Sequence, residues 1–203
     1  MTEPTLTKGK RTRAEIIAVA YQLFVSQGYH GTSMRSIADN TGLAVGALYK
    51  HFPSKEDLFK VVLRERHPFN RMLPLLAQVE GETIEVLLRN AIKRMVTELE
   101  HDAKPLNLVA IELIEFDGRH LGELAELYLP HVLGFLPRLY TTRGQLRAVP
   151  PVALFRSMLS VIFMYFVSNP FLLEITPFQK EIGTLDDLID NFLYGVIQPG
   201  ETT

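Results

Sequence analysis

The chain has 203 residues, 47% of them hydrophobic and 22% charged, with a formal net charge of −2. That length allows one or two domains with a sizeable core, and the lack of cysteine excludes disulfides and thiolate chemistry. Residues 1–64 carry nine Lys/Arg against five Asp/Glu, giving +4, whereas the remainder carries twelve against eighteen, giving −6; a basic head on an acidic body is the pattern expected when one end meets a polyanion.

The opening residues, as far as Arg13, are polar and basic with no apolar run, so no secretory signal and a cytoplasmic location are expected. A helix is predicted over 13–27, with Ile16, Ile17, Ala20, Leu23 and Phe24 on one face, Thr12 and Glu15 as a capping box and Gly28 as its stop. Two short helices follow, Met34–Thr41 and Val45–His51, parted by Gly42. Ser54 caps a fourth helix that places Glu56 and Asp57 in its first turn, where the helix dipole favours them, and runs to about His67, before Pro68.

Beyond Pro68 the pattern stays helical. Ile84, Leu87, Leu88, Ala91, Ile92, Met95, Val96 and Leu99 keep a 3.6-residue period. Leu106–Phe116 and Leu121–Leu136 read as further helices, the second interrupted at Pro130. Pro150-Pro151 introduces a helix from Val152 to about Ser168, apolar on nearly every side; its run Met158–Val167 is too short to span a bilayer, so no membrane partner is expected. A last helix, about 185–197, shows Leu185, Leu188, Ile189, Phe192 and Val196 on one face with Asp186, Asp187 and Asp190 opposite. No stretch alternates as a strand does, so the fold class is all-α.

The stretch Met34–Pro53 meets the requirements of a helix-turn-helix, which needs a small residue where two helices cross, a residue tolerating positive φ in the turn, and apolar plugs behind the second helix. Ala38 is the small residue, Gly42 the turn, and Ile37, Leu43 and Leu48 the plugs. With those buried, Val45, Ala47, Tyr49, Lys50 and His51 are left near the exposed surface of the second helix, and the Tyr, Lys and His among them carry donors suited to phosphates and base edges.

At these residues the chain resembles the TetR/AcrR family. The resemblance is carried by Thr12-Arg13, Ile16-Ile17, Ala20 with Leu23-Phe24, Gly28-Tyr29, Thr32-Ser33, Ile37-Ala38, Gly42-Leu43, Leu48-Tyr49 with His51-Phe52, and Ser54-Lys55 with Leu58. It covers roughly residues 10–70 and holds without a gap across four helices. It implies a three-helix DNA-binding domain over 10–70, its helix-turn-helix at about 33–52, joined through the fourth helix to a larger helical domain, 71–203, for ligand binding and dimerisation. It further implies a homodimer on a palindromic double-stranded DNA operator, acting as a repressor released by a small effector. By carry-over, Thr32, Ser33 and Arg35 contact backbone or base edges. Val45, Gly46 and Ala47 face bases, Tyr49 and Lys50 hold phosphate or base, and Lys55 meets phosphate at the N-terminus of the fourth helix. Ala44 stands where the family has Ser or Thr, so the recognition helix loses a hydroxyl cap worth about 1 kcal/mol.

The last two helices resemble the family's dimer-forming pair, with Phe155, Leu159, Ile162, Phe166, Leu188 and Phe192 as the expected interface. A pocket among residues 70–168 draws its candidate polar groups from Asn107, Glu112, His120, Tyr128, His131 and Tyr165, and the wealth of Leu, Phe, Ile and Met favours a mostly apolar effector. Glu112 shares a helical face with Glu115, but no compact His-x-x-x-His spacing supports a metal site. No phosphate-cradling glycine loop, His-Glu-x-x-His or Gly-x-Ser-x-Gly elbow is present, so neither an enzyme nor a cofactor is expected. A helical adaptor binding only protein fits the body and leaves the basic head unexplained.

Overall fold

The computed structural model describes residues 8–142, 144, 146–174 and 183–196, and among them there are helices and no β-strand. In chain order these are α1 (Lys8–Gly31), α2 (Met34–Thr41), α3 (Val45–His51), α4 (Lys55–Arg66), α5 (Phe69–Met72) with the 3₁₀ turn Leu73–Gln78, α6 (Ile84–His101), α7 (Pro105–Glu115), α8 (Leu121–Thr141), α9 (Pro151–Glu174) and α10 (Leu185–Val196). They fall into two compact units, one holding residues up to 70 together with 104–127, the other 71–103 together with 128–203.

In the first unit α1 departs from expectation at its start. It begins at Lys8, so Thr12 lies inside the helix and does not cap it; no proline interrupts the stretch, and Lys and Arg are good helix formers. Its end is as expected. Gly28, at φ 73 and ψ 174, leaves helical geometry before a last turn to Gly31. Ile16, Ile17, Ala20, Tyr21 and Phe24 are buried against α2 and α4. Phe24 meets Phe59 of α4 edge-on at 5.3 Å, and Phe59 stacks on Phe116, the C-cap of α7, at 5.0 Å. This aromatic run makes α7 part of the same unit as the four N-terminal helices.

The second unit is organised by α6, whose buried face is Ile84, Leu87, Leu88, Ala91, Ile92, Met95, Val96 and Leu99, the period read from sequence. Against it lie Leu154, Met158 and Ile162 of α9 and Ile189, Phe192 and Leu193 of α10. Arg89 reaches Asp186 at 3.3 Å and Asp190 at 2.5 Å, and Lys93 reaches Asp186 at 2.7 Å, so two of the acids opposite the apolar face of α10 bind α6. Three features depart from the sequence reading. The segment before α6 is ordered into α5 and the 3₁₀ turn, burying Met72, Leu73 and Leu76; Arg138 of α8 donates to the Leu76 carbonyl at 2.8 Å and to that of Val79. Helix α8 runs unbroken through Pro130 and Pro137; both prolines are exposed, and at an exposed position water can satisfy the backbone carbonyl that a helical proline frees. Finally, α9 extends to Glu174, and its stretch Pro151–Pro170 is long and apolar enough to cross a bilayer by length and composition, which corrects the expectation based on Met158–Val167 alone.

Candidate nucleic-acid interface

Helices α2 and α3 have the bounds predicted for them. Ser33 starts α2 as a reciprocal capping box with Ser36: the Ser36 N–H donates to Ser33 Oγ at 2.9 Å and the Ser33 N–H to Ser36 Oγ at 3.0 Å. That role of Ser36 was readable from its position three residues after Ser33 and was missed. Gly42 closes α2 in the left-handed region at φ 68, which lets the Leu43 N–H reach the Ala38 carbonyl at 3.0 Å. Ala38, Ile37 and Leu48 are fully buried and Phe52 nearly so, while Leu43 is half-buried. Ala44 begins α3 with no side-chain cap, as its methyl group dictates.

Packing of Leu48 and Phe52 decides what α3 shows to solvent. Val45, Gly46, Tyr49 and Lys50 are exposed, Tyr49 at 48% of its surface; Ala47 and His51 are half-buried. On α2, Ser33 and Arg35 are exposed. Short apolar groups at the start of the helix, with a phenol and an ammonium one turn later, form a surface that can enter a groove and pair with phosphate.

Two expected contact residues are placed elsewhere. Thr32 is 1% exposed and its hydroxyl donates to the Gly28 carbonyl at 2.9 Å, so its side chain is spent on closing the end of α1. Lys55 is half-buried and its ammonium donates to the carbonyls of Tyr29 and Thr32, each at 2.8 Å, while lying 4.0 Å from the centroid of the Tyr29 ring. Burial lowers its pKa from the usual lysine range, opposed by the Glu115 carboxylate. Lys55 therefore joins α4 to the end of α1 and does not reach out from the N-terminus of α4.

The six expected effector residues divide between the two units, Asn107, Glu112 and His120 in the first and Tyr128, His131 and Tyr165 in the second. Asn107 donates to the Val25 carbonyl at 3.3 Å. Glu112, fully buried, accepts the backbone N–H of His120 and pairs with its ring, both at 2.8 Å. Tyr128 is buried and His131 exposed. Tyr165 donates to Glu100 at 3.3 Å, and burial followed by that carboxylate raises its hydroxyl pKa. A cleft of about 1020 Å³ in the first unit is lined by Arg13, Phe52, Leu63, His120 and Leu127 among others, and one of about 400 Å³ in the second by Leu75, Asn90, Lys93 and Arg94 among others; of the six, His120 alone lines either.

The expected dimer residues divide likewise. Ile162 and Phe192 are buried within the chain's own core, whereas Phe155, Leu159, Phe166 and Leu188 are half-buried. Among the described side chains of α9, Val152, Phe163, Met164 and Val167 are open apolar surface, the last three at spacings of one and three to four residues on one side.

Residues 16–62, which include the whole helix-turn-helix, match the family described as bacterial regulatory proteins, tetR family. The chain is 33% identical over 98 residues to the HTH-type transcriptional activator FasR of Mycolicibacterium smegmatis, covering 48% of this chain and 44% of that protein. It is 31% identical over 127 residues to the HTH-type transcriptional regulator AcrR of Shigella flexneri, covering 62% and 58%; the chain thus spans about half the length of these curated relatives. Its fold is similar to that of the transcriptional regulator FadR from Bacillus subtilis, solved in complex with stearoyl-CoA, with a TM-score of 0.64 over 90% of this chain and 98% of that one at 17% identity. With its crossing Ala38, its Gly42 turn and the outward face of α3 all inside the matched segment, the N-terminal helix-turn-helix of this chain is similar to that of bacterial regulatory proteins of the tetR family.

Proposed function

We propose that this protein is a ligand-responsive transcriptional repressor that binds a palindromic DNA operator as a cytoplasmic homodimer and is released by a small, mostly apolar effector. The observation that carries the reading is the exposed face of α3, with Val45, Gly46, Ala47, Tyr49 and Lys50 presented by a fully buried Leu48. Residues 10–70 hold the DNA-contacting role in this reading, with Ser33, Arg35 and His51 at its edge, and 71–203 the effector and dimer roles. A second copy of the chain is the natural cover for the open side of α9, where Val152, Met164 and Val167 are each more than half exposed; two such recognition helices then read two half-sites. That Bacillus subtilis FadR was solved with stearoyl-CoA supports an effector with a long apolar part.

Selection of operator sequences from random DNA with the full-length protein, followed by mobility shift, tests the reading. The expected result is an inverted-repeat site bound two subunits to a duplex. Binding without sequence preference, or no binding at all, overturns it.

A further inference from the structure

Outside the DNA-contacting face, the buried His120 lies between two carboxylates. Its Nδ1 is 2.8 Å from Glu112 Oε2 on α7, and its Nε2 is 3.2 Å from Glu56 Oε1 in the first turn of α4. Glu112 is wholly buried, and its other oxygen is engaged by the His120 backbone N–H. A neutral imidazole has one N–H and one lone pair, so it can bond one of these carboxylates only while turning a lone pair toward the other. The imidazolium alone donates to both. We propose that His120 is a proton-operated latch, which in its protonated form ties the first turn of α4 to the α7–α8 turn and on losing a proton lets α4 go.

The surroundings decide which bond fails. At Glu112 water is excluded, so a buried carboxylate left unpaired is costly, and the remaining proton stays on Nδ1. Glu56 is half-exposed and has a second cation in reach, Lys60, 3.7 Å from the same oxygen, so it turns to Lys60 and solvent. The rings of Phe116 and Phe59 flank the imidazole at 4.9 and 6.5 Å, and Arg119, its neighbour in the turn, lies over Phe116 at 5.0 Å. The cleft lined by His120 also holds Arg13 from α1, His51 from α3, Asp57 and Arg64 from α4, and Glu123 and Glu126 from α8. A second histidine–carboxylate pair, His30 Nε2 to Glu115 at 2.6 Å, joins the end of α1 to α7, with His30 largely in solvent. Because α4 begins only a few residues after the recognition helix α3, a hold on Glu56 acts close to the DNA-contacting face. The consequence for operator binding rests on the function proposed above; the latch itself does not.

The test uses the full-length protein, with imidazole nitrogen NMR and amide hydrogen exchange followed between pH 5 and 9. While α4 is held, both His120 ring nitrogens are expected to carry protons. Loss of the Nε2 proton should coincide with a drop of at least tenfold in protection of the first turn of α4, after the intrinsic rise of exchange with pH is divided out. A glutamine side chain in place of Glu56 can accept from the protonated ring and donate to the lone pair of the neutral one, so in Glu56→Gln the exchange should no longer follow the His120 proton; in His30→Gln it should follow as before. Operator affinity should fall over the same range, by at most tenfold per pH unit per latch. A single ring proton throughout with both contacts kept, or exchange in α4 that ignores the loss of the Nε2 proton, overturns the latch. A latch seen by NMR in a protein that binds no operator upholds this inference and sinks the proposed function instead.

Discussion

Replacing Lys55 with alanine removes two hydrogen bonds from an ammonium to the carbonyls of Tyr29 and Thr32 and its contact with the Tyr29 ring. Hydrogen bonds to a charged group contribute roughly 1.5–3 kcal/mol each, and a cation over an aromatic face about 1 kcal/mol. Against this stands the cost of half-burying the ammonium, which is visible in its lowered pKa. The expected net loss of stability is about 2–3 kcal/mol, read as a lower urea midpoint at unchanged slope. Lys50 gives the opposite pattern: it is exposed on α3, so Lys50→Ala should cost less than about 0.5 kcal/mol of stability while flattening the log–log salt dependence of DNA binding by about one unit per subunit. Lys55→Ala should leave that salt slope unchanged. If instead it flattened the slope as much as Lys50→Ala and left the urea midpoint in place, Lys55 would be a phosphate ligand and the reasoning from its bonds to α1 would fail.

Three further outcomes are expected. Val45→Ser should shift base preference by roughly 1–3 kcal/mol at one position per half-site with the salt slope preserved, measured by competition among operator variants. Met164→Glu or Val167→Glu, at exposed positions on α9, should yield a monomer in sedimentation with the far-UV spectrum of the parent; a dimer of undiminished stability would remove α9 from the interface. His67 is 4% exposed, and burial lowers its pKa from 6.5 to about 4; the unfolded chain then takes up the proton first, so the stability from keeping His67 neutral is intact above about pH 6.5 and falls by up to roughly 3 kcal/mol as pH drops through 4. Urea titrations between pH 4 and 7 should show that decline in the parent and not in a folded His67→Leu variant.

The parts of the fold that could be read in the sequence are those fixed by local chemistry. Gly42 in the left-handed region, Ala38 at the crossing, Ser54 as a cap and the period of α6 each act within a turn or two of chain, so α2, α3, α4 and α6 begin and end close to where their residues place them. The roles that could not be read depend on partners far along the chain. Lys55 serves the end of α1 across 23 and 26 positions, and Glu56 finds His120 across 64, whereas the partner of Thr32, the Gly28 carbonyl, is only four residues away and was within reach of a local reading. For α9 the difficulty was different. A helix apolar on nearly every side has no period to separate its inner face from its outer one, so Ile162 was expected at a partner's surface when it is buried in its own core. At α8 the rule that proline breaks a helix gave way to position, since Pro130 and Pro137 both face solvent.

The small size of α2 and α3 bears on how the exposed face of α3 is held. With 8 and 7 residues they are too short to be helical alone, and they depend on the buried faces of α1 and α4. Those faces are not closed by the four helices themselves: Phe59 of α4, wholly buried, is covered on one side by Phe116 at the end of α7. The same short stretch of chain supplies Glu115 to His30 and both Glu112 and His120 to the contact with Glu56. Helix α7 therefore completes the core of the N-terminal helices through rings, touches α1 through Glu115 and reaches α4 through His120 in the turn that follows it. Rings packed at 5 Å hold under any solvent condition that keeps the protein folded, whereas the charged contacts at the same seam respond to protonation. A seam built in both ways can keep the unit assembled while changing how firmly α4 is held.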